Sequence, residues 1–449
     1  MKNSIDIKAR SPWTSLSNVK SIILSPNDKK IDGTVTIPGS KSLTNRALIM
    51  SALADGGSKI TGILKSDDSY WCIDSLKNLG INMDILQDTA FINGNGGKWD
   101  SGSLYIGAAG TIARFLPGVL ALSTKGEWKI EASSSMNKRP VSSLVNTLNE
   151  LGCDIQCIDQ EGYYPLSIKG KKIIGGNVSL SGKISSQFIS GLLIAAPLAK
   201  KSITINIEDY IVQHSYVLLT LQLMEQFGAS VEYDNDLTKI VVHPSQYTPQ
   251  NIALEADAST ACYFLALAAL TNGKIRIDNL TYETEQPDIK MVDILEQMGC
   301  TVTKGATFIE LEGTAQLKGG FEISMRALSD QTPTLAALAP FADDPITIND
   351  VEHIRYHESD RIRVMSESLT KLGIRVEEFK DGLKIYPGKP KSTLLHTYDD
   401  HRVAMSLALI GTRIEGIELD DPGCVSKTCP NYFELLENLG VNIQKESNL

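Results

Sequence analysis

No apolar run in the 449-residue chain reaches the ~18 residues that a membrane-spanning helix needs. The opening, Met1 to Lys20, alternates polar and apolar residues, lacks the apolar stretch of a signal peptide and carries no motif. A cytoplasmic protein away from the membrane is the expectation. The seven cysteines are odd in number and contain no CxxC pair. Cys153/Cys157 and Cys424/Cys429 have the wrong spacing for a zinc site, and no histidine cluster completes them. Packed, reduced thiols and no metal follow. Basic excess is missing too: the formal net charge is −10, which argues against a nucleic-acid partner. Local clusters of Lys and Arg therefore stand out from their background.

What is present is a soluble composition, 42% hydrophobic and 21% charged, in a chain long enough for two or three domains. One signature recurs along its whole length. An apolar-x-x-apolar-Gly helix end leads into a β-branched strand at Gly80, Gly152, Gly228, Gly299, Gly373 and Gly440, in steps of 67 to 76 residues. The glycine suits the left-handed position that closes an amphipathic helix, and alternating strands such as Ile374-Arg-Val-Glu follow it. One such junction is commonplace. Six at near-constant spacing predict six α/β repeats, packed as two domains of three with a ligand cleft between them.

Small-residue loops carrying cations precede several helices. Gly39-Ser40-Lys41-Ser42-Leu43-Thr44-Asn45-Arg46 leads from a strand end into an Ala/Leu-rich helix, a place where backbone N–H groups and the helix dipole favour an anion. It is no Walker A loop, because Ser40 separates Gly39 from Lys41. Gly107-Ala-Ala-Gly110-Thr111-Ile-Ala-Arg114 opens a second helix. Lys138 and Arg139 stand before a helix expected to begin at Pro140. Ser185-Ser186-Gln187 begins another. Asp330 stands at a further helix start, where a plain N-cap is an equally good reading. Arg355-Tyr-His357-Glu358-Ser-Asp360-Arg361-Ile-Arg363 packs acids among cations, as a surface ion-pair set or a site for protons and phosphate would. Asp399-Asp400-His401-Arg402 and Lys427 complete the set. Such repetition in an acidic chain points to small, multiply anionic substrates.

Together these segments closely resemble the 5-enolpyruvylshikimate-3-phosphate synthase family, in order from about Ile31 to Leu439. The motifs are Gly-Ser-Lys-Ser-x-x-Asn-Arg, Gly-Thr-x-x-Arg, Arg-Pro, Ser-Ser-Gln-Phe, Glu-Ser-Asp-Arg, Asp-His-Arg and Lys-Thr-x-Pro-x-Tyr-Phe. The resemblance implies an α/β fold of two similar domains, each of three repeated α/β units (an inside-out α/β barrel), with the active site in the cleft between them. It places residues 1–38 with 255–449 in one domain and 39–254 in the other. It also implies transfer of the enolpyruvyl group of phosphoenolpyruvate to the 5-hydroxyl of shikimate 3-phosphate, by a monomer without cofactor or metal. Carried over by motif, Lys41, Ser42, Arg46, Ser185, Ser186, Gln187, Asp330 and His357 would hold shikimate 3-phosphate. Lys41, Gly110, Arg139, Gln187, Arg361, Arg402 and Lys427 would surround phosphoenolpyruvate. Asp330 is the expected base, Glu358 the acid, and Lys41 an aid to proton transfer.

The sequence departs from the commonest family pattern at four places. His357 stands where Lys is frequent, which suggests a pH-dependent phosphate contact. His353 stands where Asn is frequent, and Ala108 replaces an Asn. Gln213-His214-Ser215 precede Tyr216 in place of Ser-x-Pro. A UDP-N-acetylglucosamine enolpyruvyl transferase is the nearest alternative, but it would carry Lys-Asn at 41–42 and a loop cysteine. No cysteine lies between Gly80 and Leu151. A non-catalytic anion- or RNA-binding protein of similar repeats would not need the Asp330/Glu358 pair.

Overall fold

The structure is a computed structural model, which describes residues 9–27 and 30–447. Its strands form six four-stranded sheets, all built to one plan. In one repeat, Gly102–Tyr105 runs parallel to Glu127–Glu131; Leu166–Lys169 and then Asp154–Cys157 add antiparallel. The chain order is strand, helix, strand, helix, hairpin, and the spatial order of strands is first, second, fourth, third. The sheets beginning at Gly176–Leu180 and Phe321–Ser324 repeat this contiguously. The other three borrow a distant strand for the same plan. Asn251–Ala253 supplies the first strand beside Asp55–Thr61, and Asp32–Val35 the first beside Lys274–Ile277. Val19–Ser25 supplies the fourth, between Ile417–Asp420 and Asn442–Ser447. The six sequence repeats are these six sheets with their helices.

Contacts group the chain into two compact units of three repeats each. Among the described residues, the first takes 9–12 and Gly39–Leu254; the second takes 13–27, 30–38 and 255–447. All of 1–38 was expected with the second. Residues 9–12 join the first instead, because the Ser11 N–H and hydroxyl both donate to Asp67 Oδ1, at 3.0 and 2.5 Å, and Trp71 Nε1 donates to the Ala9 carbonyl at 2.9 Å.

The recurrent glycines close six helices in one manner. All six have positive φ, between 87° and 96°. At the first, Gly80 N–H donates to Lys77 O and Ile81 N–H to Leu76 O, a pair of bonds repeated at each of the other five. This double closure satisfies two of the carbonyls a helix end leaves open. The first apolar residue of each signature, from Leu76 to Leu436, is buried. Each repeat thus owns one amphipathic helix that ends at its glycine.

The other helix of each repeat is buried nearly all round. In the first unit these are Lys41–Leu53, Ile112–Ala121 and Ser186–Ala195; in the second, Ala258–Thr271, Thr332–Leu338 and His401–Gly411. Small and branched apolar residues on every face let them pack as the unit's core, and in the second unit the three touch pairwise. The sheets cover this helical core with one face and keep polar residues on the other, as the alternating burial of Asp55–Thr61 and Glu127–Glu131 records. None of the seven cysteines forms a disulfide, and six are buried.

Candidate active site

In the first unit Lys41, Arg46 and Arg114 lie near the starts of buried helices, and Arg139 stands in the turn before the amphipathic helix Ser142–Glu150. Gly39 lies so close to Gly62 that a Cβ would sit 1.9 Å from its carbonyl oxygen, so the turn into the helix tolerates only glycine. Ser40 caps that helix through its hydroxyl. Asn45, two positions beyond Leu43, donates to Thr111 Oγ1 at 2.7 Å and ties this start to the glycine-rich loop. Lys41 Nζ lies 3.8 Å from Asp68 Oδ2.

Arg46 is buried, with its guanidinium over the Phe115 ring. Nε donates to Thr220 Oγ1 at 2.7 Å, Nη1 to Ser42 O, and Nη2 to Ser190 Oγ and Tyr216 O. All four acceptors are neutral. Burial without a counter-ion pulls this guanidinium down to about 10. Arg114 donates to Gly110 O at 3.3 Å and to Pro140 O at 3.2 Å, so one side chain braces both the glycine-rich loop and the Arg139-Pro140 turn. A Cβ on Gly110 would meet Arg139 Nη1 at 3.0 Å. The helix expected to begin at Pro140 begins at Ser142. The Val141 N–H still belongs to the turn, bonded to Gly162 O at 2.9 Å. Ser185 caps Ser186–Ala195, donation coming from the Gln187 N–H.

The second unit gathers its charges around Arg361, whose side chain is 1% exposed. Nε and Nη2 grip both oxygens of Asp400, at 2.9 and 3.1 Å. Nη1 reaches Asp330 Oδ1 at 2.8 Å and His357 Nδ1 at 3.1 Å, and Nη2 reaches Glu358 Oε2 at 2.8 Å. Every N–H of this guanidinium thus has an acceptor. Asp330 gives its other oxygen to Arg402 Nη2 at 3.1 Å, and Glu358 gives its other oxygen to Lys427 at 3.2 Å. Arg402 keeps a buried Nε with no partner among the described residues.

Several expectations change here. Asp330 is no N-cap: it lies within the short turn Arg326–Gln331, and its carboxylate bridges two arginines. Of the three arginines flanking Glu358 in the sequence, only Arg361 reaches it; Arg355 pairs with Asp360 and Glu378, and Arg363 with Glu367. His357 is no switch near neutral pH. Burial first, and then Arg361, hold it well below the ordinary histidine value. Its Nδ1 accepts from Arg361, which leaves Nε2–H as its donor. His353, held at about 4 chiefly by burial, shares a 2.7 Å hydrogen bond with Ser329 Oγ.

Sequence reading named Asp400 and Arg114 in their motifs without a role of their own, and passed over Asp288, Thr220 and Ser190. Asp400 caps His401–Gly411 through the Arg402 N–H while clamping Arg361. Asp288 is buried, accepts from Ser259 and Gln331, and is raised to about 6 by burial and by Asp330. Thr220, Ser190 and Arg114 do the equivalent work in the first unit. An acid directly before a helix was a legible signal for Asp400; the others are ordinary core positions until the fold brings them together.

Two units of three such repeats, with cations collected at helix starts, form the architecture of the enolpyruvyl transferases. The fold is matched by the enolpyruvyl transferase NikO from Streptomyces tendae, with a TM-score of 0.77 at 18% identity over 96% of this chain and 100% of that one. The chain belongs to the EPSP synthase (3-phosphoshikimate 1-carboxyvinyltransferase) family, whose model matches residues 26–436. A 3-phosphoshikimate 1-carboxyvinyltransferase 2 of Halalkalibacterium halodurans is 64% identical over 440 residues, 98% of each chain. A 3-phosphoshikimate 1-carboxyvinyltransferase of a Nostoc species is 41% identical, over 90% of this chain and 96% of its own. The solved EPSP synthase of Acinetobacter baumannii superposes with a TM-score of 0.81 at 25% identity, over 95% of this chain and 100% of that one.

Proposed function

We propose that the chain transfers the enolpyruvyl group of phosphoenolpyruvate to the 5-hydroxyl of shikimate 3-phosphate and releases phosphate. One observation carries this reading. Asp330 and Glu358, an acid/base pair, each give both oxygens to cations of the kind a phosphorylated carboxylic acid would recruit. Membership of the family supports it, as does the name borne by a relative 64% identical over almost the whole chain.

In this reading the ligand-free second unit neutralises its own cations. Arg361, Arg402 and Lys427 turn from Asp330 and Glu358 to the phosphate and carboxylate of phosphoenolpyruvate, joined by Arg139, Gln187 and the Gly110 backbone. Lys41, Ser42, Arg46, Ser185, Ser186 and Gln187, with Asp330 and the Nε2–H of His357, hold shikimate 3-phosphate. The 5-oxygen then bonds to C2 of phosphoenolpyruvate while its proton passes to Asp330. Glu358, released from its cations and able to carry a proton, protonates the methylene carbon, giving a tetrahedral ketal. In the second step the methyl group returns a proton to Glu358. The C2–O bond to phosphate breaks, and the proton on Asp330 leaves with phosphate, Lys41 assisting. The guanidinium and ammonium groups stabilise the charge gathering on the leaving phosphate. No cofactor or metal enters this scheme, a single chain carries every group it uses, and the reaction suits the cytoplasm.

Phosphate release from phosphoenolpyruvate, measured with shikimate 3-phosphate and with UDP-N-acetylglucosamine as acceptors, tests the reading. Release only with the shikimate ester is expected, and release only with the nucleotide sugar would reverse the choice of acceptor. Asp330→Asn and Glu358→Gln should each lower kcat by roughly 10²–10⁴-fold. A variant with near-normal kcat removes that residue from its role.

A further inference from the structure

We propose that residues 9–12 form a brace that positions Lys41 and the glycine-rich loop at Gly107–Thr111, an inference that rests on the catalytic role given to Lys41 above. The family match begins at residue 26, so the brace lies outside what defines the family.

Its contacts fall on one face of the helix Asp67–Asn78. Asp67, the first residue of that helix, accepts both the N–H and the hydroxyl of Ser11 on a single oxygen. One turn on, Trp71 donates from Nε1 to the Ala9 carbonyl at 2.9 Å. Ala9, Ser11 and Asp67 are all buried, so these are packed interior bonds, for which a lost partner is costly.

From this face two short routes lead to the catalytic groups. Asp68, adjacent to Asp67 and buried, stands 3.8 Å from Lys41 Nζ. Trp71 lies against the glycine-rich loop: a Cβ on Gly107 would fall 2.4 Å from its Nε1, and its ring meets Tyr105 edge-on at 5.1 Å. Gly107 holds a left-handed φ of +57°, which lets the backbone pass that close to the indole. A lysine has a long stem with many rotamers, so its ammonium position depends on the carboxylate beside it. Loosening the first turn of the helix releases that carboxylate and the loop together. The brace acts on geometry, not on substrate contact: Ala9 and Ser11 are positioning residues.

The test is a set of full-length variants assayed with phosphoenolpyruvate and shikimate 3-phosphate. Ser11→Pro removes both donors to Asp67, and Ser11→Thr keeps both. Trp71→Phe keeps an aromatic ring and removes the bond to Ala9. Ser11→Pro should lower kcat about tenfold, a displacement of catalytic geometry well under an ångström. Both KM values should stay within about twofold, the bound substrates keeping their other contacts. Ser11→Thr should restore kcat, and Trp71→Phe should fall between. If Ser11→Pro does not accumulate folded, Trp71→Phe carries the test by the same kcat-against-KM criterion. Unchanged kcat in the folded variants overturns the brace, as does a loss that follows only their unfolding midpoints. Lys41→Met, run alongside, separates the two readings. If it keeps turnover, the role of Lys41 fails; if it is inactive while the Ser11 and Trp71 variants are normal, only the brace fails.

Discussion

The buried helices of the first unit begin at Ser40, Thr111 and Ser185, whereas two of those in the second begin at Asp257 and Asp400 and the third follows Asp330. A helix start carries roughly half a positive charge, and a carboxylate there cancels it where a hydroxyl does not. The arginines follow the same division. Arg46 is held by neutral oxygens, while Arg361 is held by three carboxylates. One fold plan, used twice, has thus produced two electrostatic states. The first unit keeps a buried guanidinium, Arg46, that only neutral oxygens hold. The second stores its cations against internal acids, which in the proposed function the substrate displaces. This separates the two proposed tasks: fixed binding of the acceptor in the first, and exchange of charge with proton transfer in the second.

The strongest way to break that contrast is to remove its two arginines in turn. Arg361→Met leaves Asp330, Glu358 and Asp400 without their shared cation, and breaking such a buried ionic set costs about 3–5 kcal/mol. Urea unfolding should register that loss, and turnover should vanish. Arg46→Met takes away a buried charge that no carboxylate balances, so its stability cost should stay near about 1 kcal/mol, the scale of a few lost neutral hydrogen bonds. Its KM for shikimate 3-phosphate should rise about 100-fold, the loss of a charged hydrogen bond to an anion at roughly 3 kcal/mol. Equal stability costs for the two variants would erase the distinction drawn here.

The repeats were legible because their cause is local. A glycine that must take positive φ is the same residue in six places, and the apolar positions before it must face a core. The cation-bearing loops were legible for a similar reason, since they sit at helix starts next to Ala/Leu-rich stretches. What sequence could not reveal is which acid holds which base. Arg355, Arg361 and Arg363 all lie within five residues of one Glu, yet only the middle one turns inward, because Asp400 waits for it from 39 residues away. The pairing of Val19–Ser25 with strands near the far end of the chain was equally hidden, being fixed by the fold rather than by any neighbour.

A smaller effect sharpens the contrast through pH. His353 titrates at about 4 in the fold against an ordinary 6.5, so the unfolded chain binds the extra proton between those values. Stability contributed by the neutral ring is complete above 6.5 and is lost as pH falls toward 4, by up to about 3 kcal/mol. His357 shifts in the same direction. Asp288, raised to about 6, opposes both: its proton is favoured by the fold, so its contribution is lost as pH rises through that value. His353→Asn should therefore flatten the stability profile between pH 6.5 and 4, and Asp288→Asn should steepen it. Chemical denaturation at several pH values reads both slopes, and an unchanged slope in His353→Asn would show that the ring is not held neutral.

The smallest effect asks whether the difference between the units stops at the site. Gly152 and Gly299 close equivalent helices, one in each unit, with φ of +94° and +96°. Nothing lies within 3.5 Å of a Cβ added at either position, so an alanine there strains the backbone without a clash. The left-handed conformation costs a non-glycine residue about 1–2 kcal/mol. Gly152→Ala and Gly299→Ala should lose stability by that same amount and leave kcat and both KM values as they were. Matching losses mean that the scaffold is equivalent in the two units, and that the charges at the helix starts alone set them apart. A loss confined to one variant, or a change in kcat, would place part of the asymmetry in the backbone itself.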